Sequence, residues 1–263
     1  MTVVAAGVLT GWGTGVEALP EDARRAAQGR RIVAVARPVL RGDRFRRATR
    51  ECLLGVAAVE AMLADGGLTR AAIAGADTGL LYVTAGAYGA SNASFVMGEG
   101  QPGTLHFPYT APSAVPAEVA IEFGLRGAYV ILLGGASTTI DALWQARLLI
   151  RRGRCARALV VAVETFEECA PLYARARWLA AGPLVEAAAA VLLTADGPAM
   201  AYDAGGVDAS PLEAEVQARA GQTLACEPLI ALALARRRGR TAAAVTGRWR
   251  GRRARLEPDV AGR

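Results

Sequence analysis

A glycine pair followed by small residues, Gly134-Gly135-Ala136-Ser137, stands between a continuously apolar run and a helical pattern. A buried strand, a glycine turn and a helix form a nucleophile elbow, in which one side chain is held beside backbone amides. A cysteine or serine at that place could attack an acyl group and form a covalent intermediate. Here the position falls on Ala136, whose methyl group supports no such step.

Ser137 is the hydroxyl nearest to this turn, and it needs a base within hydrogen-bond reach to act as a nucleophile. The chain has one histidine, His106, which lies 31 residues before Ser137. Helix starts favour serine and threonine because their oxygens accept hydrogen bonds from free backbone N–H groups. We therefore expect the Ser137 hydroxyl to cap the helix.

The cysteines and the single histidine argue against a metal centre. No pair among the four cysteines has Cys-x-x-Cys spacing, and one histidine cannot supply a histidine-rich site. Unpaired cysteine is among the most buried residue types, so we expect all four to be small core residues. We expect no metal and no cofactor. The cysteines are Cys52, Cys155, Cys169 and Cys226.

The hydrophobic pattern predicts the elements that hold the turn. Ala128 to Leu133 is continuously apolar, which is typical of a strand buried on both faces. Apolar residues then recur at helical spacing as far as Arg152, with Thr138 or Thr139 as a cap. Gly153 stands where a left-handed residue would end the helix.

Further elements follow from the same patterns and from glycine stops. We predict an irregular stretch, rich in glycine, serine and asparagine, between Tyr88 and Thr110. After Ala201 the pattern predicts about one helix and two strands. The predicted segments are strands Thr2 to Leu9, Thr78 to Thr84, Ala187 to Leu193, Thr241 to Thr246 and Arg252 to Leu256, and helices Arg44 to Gly66 and Leu229 to Arg238.

At this point the chain resembles the ketosynthase (β-ketoacyl synthase) family of the thiolase fold. Its members read Gly-Leu-Arg-Gly-Pro, strand, Ala-Cys-Ser-Ser, helix, which matches Gly124 to Thr138 here. Ile150 to Glu164 resembles the family's Ile-Arg-x-Gly-x-x-Asp-x-Ala-Leu-Val-Gly-Gly-Val-Glu, and the family's Gly-Glu-Gly is replaced by Val185-Glu186-Ala187. Ala220 to Leu229 resembles Gly-His-Thr-x-Gly-Ala-Ala-Gly-Leu.

The resemblance implies an α/β, thiolase-like layered α/β/α/β/α fold in one structural unit. Residues 1–200 would be a near-complete ketosynthase-like N-terminal half, and residues 201–263 a strongly shortened remnant of the C-terminal half. Ala136 takes the place of the nucleophilic cysteine and Gln222 that of a catalytic histidine. The family's other catalytic histidine has no counterpart here. Ala136 and Gln222 are therefore degenerate positions, and we expect no catalytic residues.

The chain length factors of type II polyketide systems are family members that also lack the reactive cysteine, and this chain resembles them in lacking the cysteine and both histidines. The best-known of these carry glutamine at the position of Ala136. The resemblance implies a non-catalytic subunit that forms a heterodimer with an active ketosynthase and shapes its acyl tunnel, with an acyl carrier protein reaching the complex. The implied interface strand is Tyr129, Val130, Ile131, Leu132 and Leu133, and the implied tunnel-facing and partner-facing loop is His106, Phe107, Pro108 and Tyr109.

Two other functions stay open on the residues alone. One is an independent acyl hydrolase or acyltransferase that uses Ser137 or Cys169. The other is a docking module, in which the arginine clusters Arg236 to Arg240 and Arg248 to Arg255 meet an acidic carrier protein.

Composition narrows the class of protein. At 263 residues and 53% hydrophobic, the chain is long enough for one large core or two fused halves. The net charge is +6 and every basic residue is arginine, but the clusters lack interleaved aromatic residues, so we expect no nucleic-acid partner. No apolar run is long enough to span a bilayer and no signal pattern opens the sequence, so we expect a soluble cytoplasmic protein.

Overall fold

The computed structural model describes residues 1–46, 48–97, 107–167, 170, 182–205 and 208–259. In that part of the chain the helices are α1 (Ala23–Ala27), α2 (Arg50–Gly66), α3 (Gly89–Met97), α4 (Ala114–Phe123), α5 (Ala136–Arg151), α6 (Pro211–Ala220) and α7 (Glu227–Arg237). The strands are β1 (Thr2–Thr10), β2 (Gly13–Thr14), β3 (Ile32–Val33), β4 (Thr78–Thr84), β5 (Tyr129–Leu133), β6 (Arg157–Glu164), β7 (Leu184–Val185), β8 (Ala187–Thr194), β9 (Met200–Asp203), β10 (Val245–Trp249) and β11 (Arg252–Pro258).

The main sheet has six strands in the order β2-β1-β8-β6-β4-β5. Strand β4 is parallel to β5 and β6, whereas β8 runs antiparallel to both β6 and β1. The inner strands are continuously apolar in sequence because helices cover both faces of the sheet there. Leu80 and Tyr82 pack into the core with α2 and α4, and the alternate residues Leu81 and Val83 pack with α5 and α7.

A second sheet, β10-β11-β9, is antiparallel throughout and packs against α5. Its arrangement repeats part of the main sheet. In both sheets a helix precedes an antiparallel strand pair whose second strand also pairs with an earlier strand. Helix α5 precedes the pair β6 and β8, and β8 also pairs with β1; α7 precedes the pair β10 and β11, and β11 also pairs with β9. In the described residues, β4 and β5 have no counterpart in this second sheet.

Most predicted elements are confirmed. Strand Thr78–Thr84 has the predicted bounds, and α5 ends one residue before Arg152. Gly153 adopts φ +65°, and the Gly153 and Arg154 N–H groups donate to Ile150 and Leu149 as in a glycine-terminated helix. Cys52, Cys155 and Cys226 are buried as expected, while Cys169 lies outside the described residues. No helix in the described part is long and apolar enough to cross a membrane.

Three predictions about secondary structure were wrong. The strand predicted at Thr241 to Thr246 lies later in the chain, as β10 (Val245–Trp249), and shares only Val245 and Thr246 with the prediction. The stretch after Tyr88 contains α3, because Asn92 donates to the Thr110 carbonyl and Ser91 to Glu51, so tertiary contacts hold these small polar residues in a helix. From Met200 onward, the described residues form two helices and three strands, not the one helix and two strands that were predicted. The missed helix, α6, has a sequence signal: Ser210 caps it by accepting from the Glu213 N–H, and Pro211 occupies the first turn.

The predicted burial of β5 on both faces was also wrong. This strand lies at the edge of the main sheet, and Tyr129 and Leu133 are 45% and 56% exposed. An apolar run alone does not distinguish a central strand from an edge strand whose outer side is free.

A buried ion pair joins α2 to the start of β8. The Arg50 guanidinium donates to both carboxylate oxygens of Glu186 at 2.6 Å, and Glu186 is fully buried. Desolvation alone would raise the pKa of Glu186, but the hydrogen bonds from Arg50 and from the Phe166 and Glu167 N–H groups outweigh it and hold that pKa below its ordinary value. Glu186 also accepts from the Val35 N–H, and Arg50 donates to the Val35 carbonyl, both at 2.8 Å. The pair therefore fixes the segments around Val35 and Phe166 as well as α2.

Removing one member of this buried pair should lower the free energy of unfolding far more than removing one member of an exposed pair. We expect Arg50→Met to lower the free energy of unfolding by about 3–5 kcal/mol, because Glu186 is left as a buried uncompensated charge. The matched control is Arg238→Met, which removes an exposed bidentate pair with Glu215 and should cost about 0–1 kcal/mol. Urea unfolding measures both, and equal losses would contradict the assigned role of Glu186.

A second buried carboxyl, Glu227, opens α7. Burial raises its pKa to about 8, and the hydrogen bond from the Gln217 amide acts in the opposite direction. Because the folded-state pKa lies above the ordinary 4.5, the native protein keeps a proton between about pH 4.5 and 8 that the unfolded chain releases. The contribution of Glu227 to stability is therefore present below pH 4.5 and is lost as pH rises towards 8.

Glu227→Gln should remove this dependence. Between pH 5 and 8 we expect the variant to lose less free energy of unfolding than the wild type, by more than about 1.4 kcal/mol, the equivalent of one pKa unit. Glu21→Gln, which changes an exposed carboxyl, should follow the wild type. Urea midpoints at several pH values test this, and parallel curves for Glu227→Gln and wild type would refute it.

Candidate functional site

The turn between β5 and α5 needs both of its glycines. Gly134 has φ +156°, and a β-carbon there would overlap the Thr138 side chain. A β-carbon at Gly135 would overlap the indole ring of Trp249 from β10. Both glycines that the sequence predicted in a tight turn are thus required, Gly134 by the nearby Thr138 side chain and Gly135 by Trp249 of the second sheet.

Ala136 begins α5 and is 1% exposed. The backbone of Gly247 lies against the Ala136 carbonyl, since a β-carbon at Gly247 would overlap that carbonyl. The β10–β11 hairpin therefore covers the elbow with Gly247 and Trp249. The side chain at the elbow is a buried methyl group, so no acyl intermediate can form on it.

The Ser137 hydroxyl does not cap the helix, contrary to the prediction. Gly135 is the N-cap residue and no side chain caps this terminus. Ser137 is fully buried, and its Oγ has no hydrogen-bond partner among the described residues. Without a base and without access to solvent, this hydroxyl lacks what a nucleophile requires.

The predicted cap by Thr138 or Thr139 is also absent. Thr139 instead donates from its hydroxyl to the Ala225 carbonyl at 2.6 Å, which connects the first turn of α5 to the 3₁₀ turn Leu224–Cys226. A threonine that can cap a helix can equally bond a distant backbone group, and the sequence does not distinguish the two.

Gln222 lies just before that turn and is half-buried. Its N–H donates to the Pro183 carbonyl and its carbonyl accepts from the Val185 N–H, both at 3.0 Å, so its backbone extends the small sheet formed by β3 and β7. The segment after Gln222 contacts the first turn of α5 through the hydrogen bond from the Thr139 hydroxyl to the Ala225 carbonyl. An amide side chain offers no base at neutral pH.

Glu164, at the end of β6, is the central polar residue that the sequence reasoning passed over. Its carboxyl accepts from the N–H groups of Ala85 at 2.6 Å, Gly86 at 3.2 Å and Ala225 at 3.3 Å, and from the Thr84 hydroxyl at 3.4 Å. Complete burial raises its pKa to about 8, and these donors oppose the rise. Glu164 joins the end of β4 to the turn after Gln222, and its signal in the sequence is an acidic residue ending an apolar strand.

Within the part of the chain that the structure describes, strand β5 pairs with β4 and with no other strand. Of the five residues assigned to an interface, Tyr129 and Leu133 are exposed and Val130, Ile131 and Leu132 are half-buried. Alternate side chains pack into the two cores on either face of the sheet, while the outer edge of the strand carries no partner strand in the described chain.

The predicted tunnel loop is described in part. His106 lies outside the described residues, and for Phe107 only the backbone, the first residue of the 3₁₀ turn Phe107–Thr110, is described. Pro108 is exposed. Tyr109 is half-buried against the core around α2, and its hydroxyl donates to Glu118 at 3.5 Å. The part that is seen is thus anchored to α4, and its orientation towards a tunnel stays a prediction.

The arginine clusters are largely engaged within the chain. Arg236, Arg237 and Arg238 pair with Asp65, Glu17 and Glu215, respectively. Arg252, Arg253 and Arg255 pair with Asp141, Glu213 and Glu257. Internal carboxylates thus neutralise much of the charge that a carrier-docking surface would present.

Comparison with known structures gives extensive matches at low sequence identity. A β-ketoacyl synthase from Burkholderia phymatum STM815 is 14% identical with TM-score 0.69, covering 97% of this chain and 98% of that one. The ishigamide ketosynthase/chain length factor is 17% identical with TM-score 0.70 over 97% of this chain and 98% of that one. The complex of the ketosynthase ApeO with its chain length factor ApeC from Xenorhabdus doucetiae is 14% identical with TM-score 0.63, over 98% and 99%.

These matches establish the thiolase-like ketosynthase fold that the sequence predicted. A comparison with curated proteins found no match. The profile of the β-ketoacyl synthase N-terminal domain matches residues 40–208, which is more than half of the chain and includes the elbow, β6 and β8. The chain therefore belongs to the β-ketoacyl synthase family.

Proposed function

We propose that this chain is a non-catalytic, chain-length-factor-type partner subunit that forms a heterodimer with an active ketosynthase and shapes its acyl tunnel. The proposal treats residues 1–200 as the ketosynthase-like half and residues 201–263 as its reduced second half, within one structural unit. It places the pair in type II polyketide or fatty-acid-like synthesis in the cytoplasm. An acyl carrier protein would deliver substrate to the complex and not to this chain alone.

The observation that carries the proposal is the chemistry of the closed elbow. Ala136 stands where the family holds its cysteine and is 1% exposed, with Gly247 against Ala136 itself and the Trp249 ring against the preceding Gly135. Loss of the nucleophile from a concerted site typically lowers the rate on the order of a millionfold. A family member with this elbow keeps the fold but needs another subunit for condensation.

The free edge of β5 supports the second part of the proposal. Natural sheets protect exposed edges with charged residues, proline or bulges, because unpaired N–H and C=O groups invite another strand. Tyr129–Leu133 contains no charged residue and no proline, and its two ends are exposed large apolar side chains. Pairing across this edge would continue the six-stranded sheet into a partner and cover those side chains.

The neighbouring structures support the assignment by analogy of fold. Two of them contain a ketosynthase with its chain length factor, and a third is a ketosynthase in complex with a type II acyl carrier protein, AntDE:AntF. No specific observation favours an independent hydrolase: Ser137 is buried without a base, and Cys169 lies outside the described residues.

Co-expression with a ketosynthase encoded beside this chain tests the proposal. We expect the two proteins to purify together as a stable heterodimer, and the pair to make product when supplied with acyl and malonyl carrier proteins. A ketosynthase that gives the same product at the same rate without this chain would contradict the proposal.

Restoring the thiol should not restore catalysis. In Ala136→Cys the sulfur would lie in a buried position beside Gly247, and Gln222 cannot replace a histidine in activating it or in promoting decarboxylation. We expect no β-ketoacyl product from the purified variant by mass spectrometry, with an intact ketosynthase as the positive control. Condensation by the variant would show that the closed elbow opens and that another group acts as the base.

Placing a charge on the β5 edge should break the heterodimer. Leu133→Asp would put an unpaired carboxylate into the interface, and we expect binding to the ketosynthase to weaken at least tenfold, about 1.4 kcal/mol or more. Leu133 is 56% exposed, so the isolated fold should tolerate the change. Val39→Asp, at an apolar side chain that is 94% exposed in a loop, is the matched control and should bind as the wild type does. Unchanged binding by Leu133→Asp would place the interface elsewhere.

A further inference from the structure

A cavity of about 360 Å³ lies between the last turns of α5 and the loop that connects β8 to β9. Ligand pockets in proteins begin at about 300 Å³, so the space admits a small molecule. It lies away from the elbow, at the opposite end of α5. Its wall includes Arg147, Ile150, Arg151, Thr194, Pro198 and Ala199.

Arg147 is the unusual member of this wall. The residue is 8% exposed, its Nη1 is fully buried, and no atom of its guanidinium has a hydrogen-bond or ion-pair partner among the described residues. Its described contact is the face of the Trp144 ring, with the guanidinium carbon 4.7 Å from the ring centroid. Arg50 is also 8% exposed, but its guanidinium forms a bidentate ion pair with a carboxylate, which is what a buried guanidinium ordinarily requires.

The neighbouring charges do not supply that partner. Burial lowers the pKa of Arg147, and the like charge of Arg151, one helical turn on, lowers it further, while Asp259 acts in the opposite direction without forming an ion pair to Arg147. The carboxylate of Asp141, on an earlier turn of α5, is already held by Arg252 and by the Tyr202 hydroxyl. Asp196, beyond Thr194, accepts from the Thr194 hydroxyl.

We propose that this cavity binds a small molecule through an oxyanion, a phosphate or carboxylate group, which Arg147 holds from the floor and Arg151 from the rim. A guanidinium presents its donors in a planar fork that matches either group. Ile150, Pro198 and Ala199 offer an apolar wall to the rest of the ligand. This site is independent of the proposed partnership, since it uses neither the elbow nor β5.

Inorganic phosphate and acetate are the probes, and thermal unfolding of the purified protein, alone or with its partner, is the readout. Each anion is titrated against sodium chloride at equal ionic strength, so that general screening cancels. We expect a saturable rise in melting temperature with at least one of them, and the stronger probe identifies the group. Arg147→Met should weaken the apparent affinity at least tenfold, and Arg154→Met, at an exposed arginine just beyond α5, should leave it unchanged. No saturable rise with either anion, or an equal rise in Arg147→Met, would overturn the proposal.

Two further measurements distinguish an anion site from a guanidinium or a cavity that the chain itself satisfies. In chloride alone, Arg147→Met should melt at the same temperature as the wild type or higher, because it removes an unpaired buried charge. A clear loss of stability would mean that Arg147 already has a partner within the chain, and would overturn the proposal. A chain shortened after Asp259 should bind the anions as the full chain does, whereas binding that appears only in the shortened chain would assign the cavity to the chain's own terminus and overturn the proposal.

Discussion

The ring of Trp249 lies so close to Gly135 that no β-carbon fits between them, and Gly247 lies equally close to the Ala136 carbonyl. These contacts join the second sheet to the one turn on which ketosynthase chemistry depends. They explain why position 135 is glycine, and the Gly247 contact helps to bury Ala136. A thiolate needs room for an incoming thioester and a group that stabilises its charge. The elbow here has the strand, glycine turn and helix of such a site, but its side chain is a buried methyl group.

The two sheets share a pattern but differ in size. The second sheet repeats the antiparallel strand pair and the returning strand of the first, and in the described residues it has no counterparts of β4 and β5. The main sheet retains both, and β5 is its outer strand. An edge without charge or proline, with Tyr129 and Leu133 exposed, is suited to pairing with another chain. Glu164 holds the ends of β4 and β6 against the turn after Gln222 through hydrogen bonds from the Ala85 and Ala225 N–H groups.

Local patterns in the sequence correctly predicted those elements that local interactions determine. Strand β4, helix α5 and the left-handed Gly153 follow from apolar periodicity and glycine geometry, and the elbow motif placed Ala136 at the start of α5. What failed depended on distant partners. Thr139 bonds Ala225 instead of capping its own helix, α3 forms because Asn92 reaches Thr110, and Trp249 covers a residue more than a hundred positions away in the chain. Helix α6 was predictable, since Ser210, Pro211 and Glu213 form a recognisable helix start.

The central claim is that this chain takes part in condensation without carrying the acyl group. Intact-protein mass spectrometry of the co-purified pair, after incubation with an acylated carrier protein, tests it most directly. The account predicts that the ketosynthase gains the mass of one acyl group and that this chain gains none. An acyl group on this chain, mapped by peptide analysis to Ser137, to Cys169 or to any other residue, would contradict it.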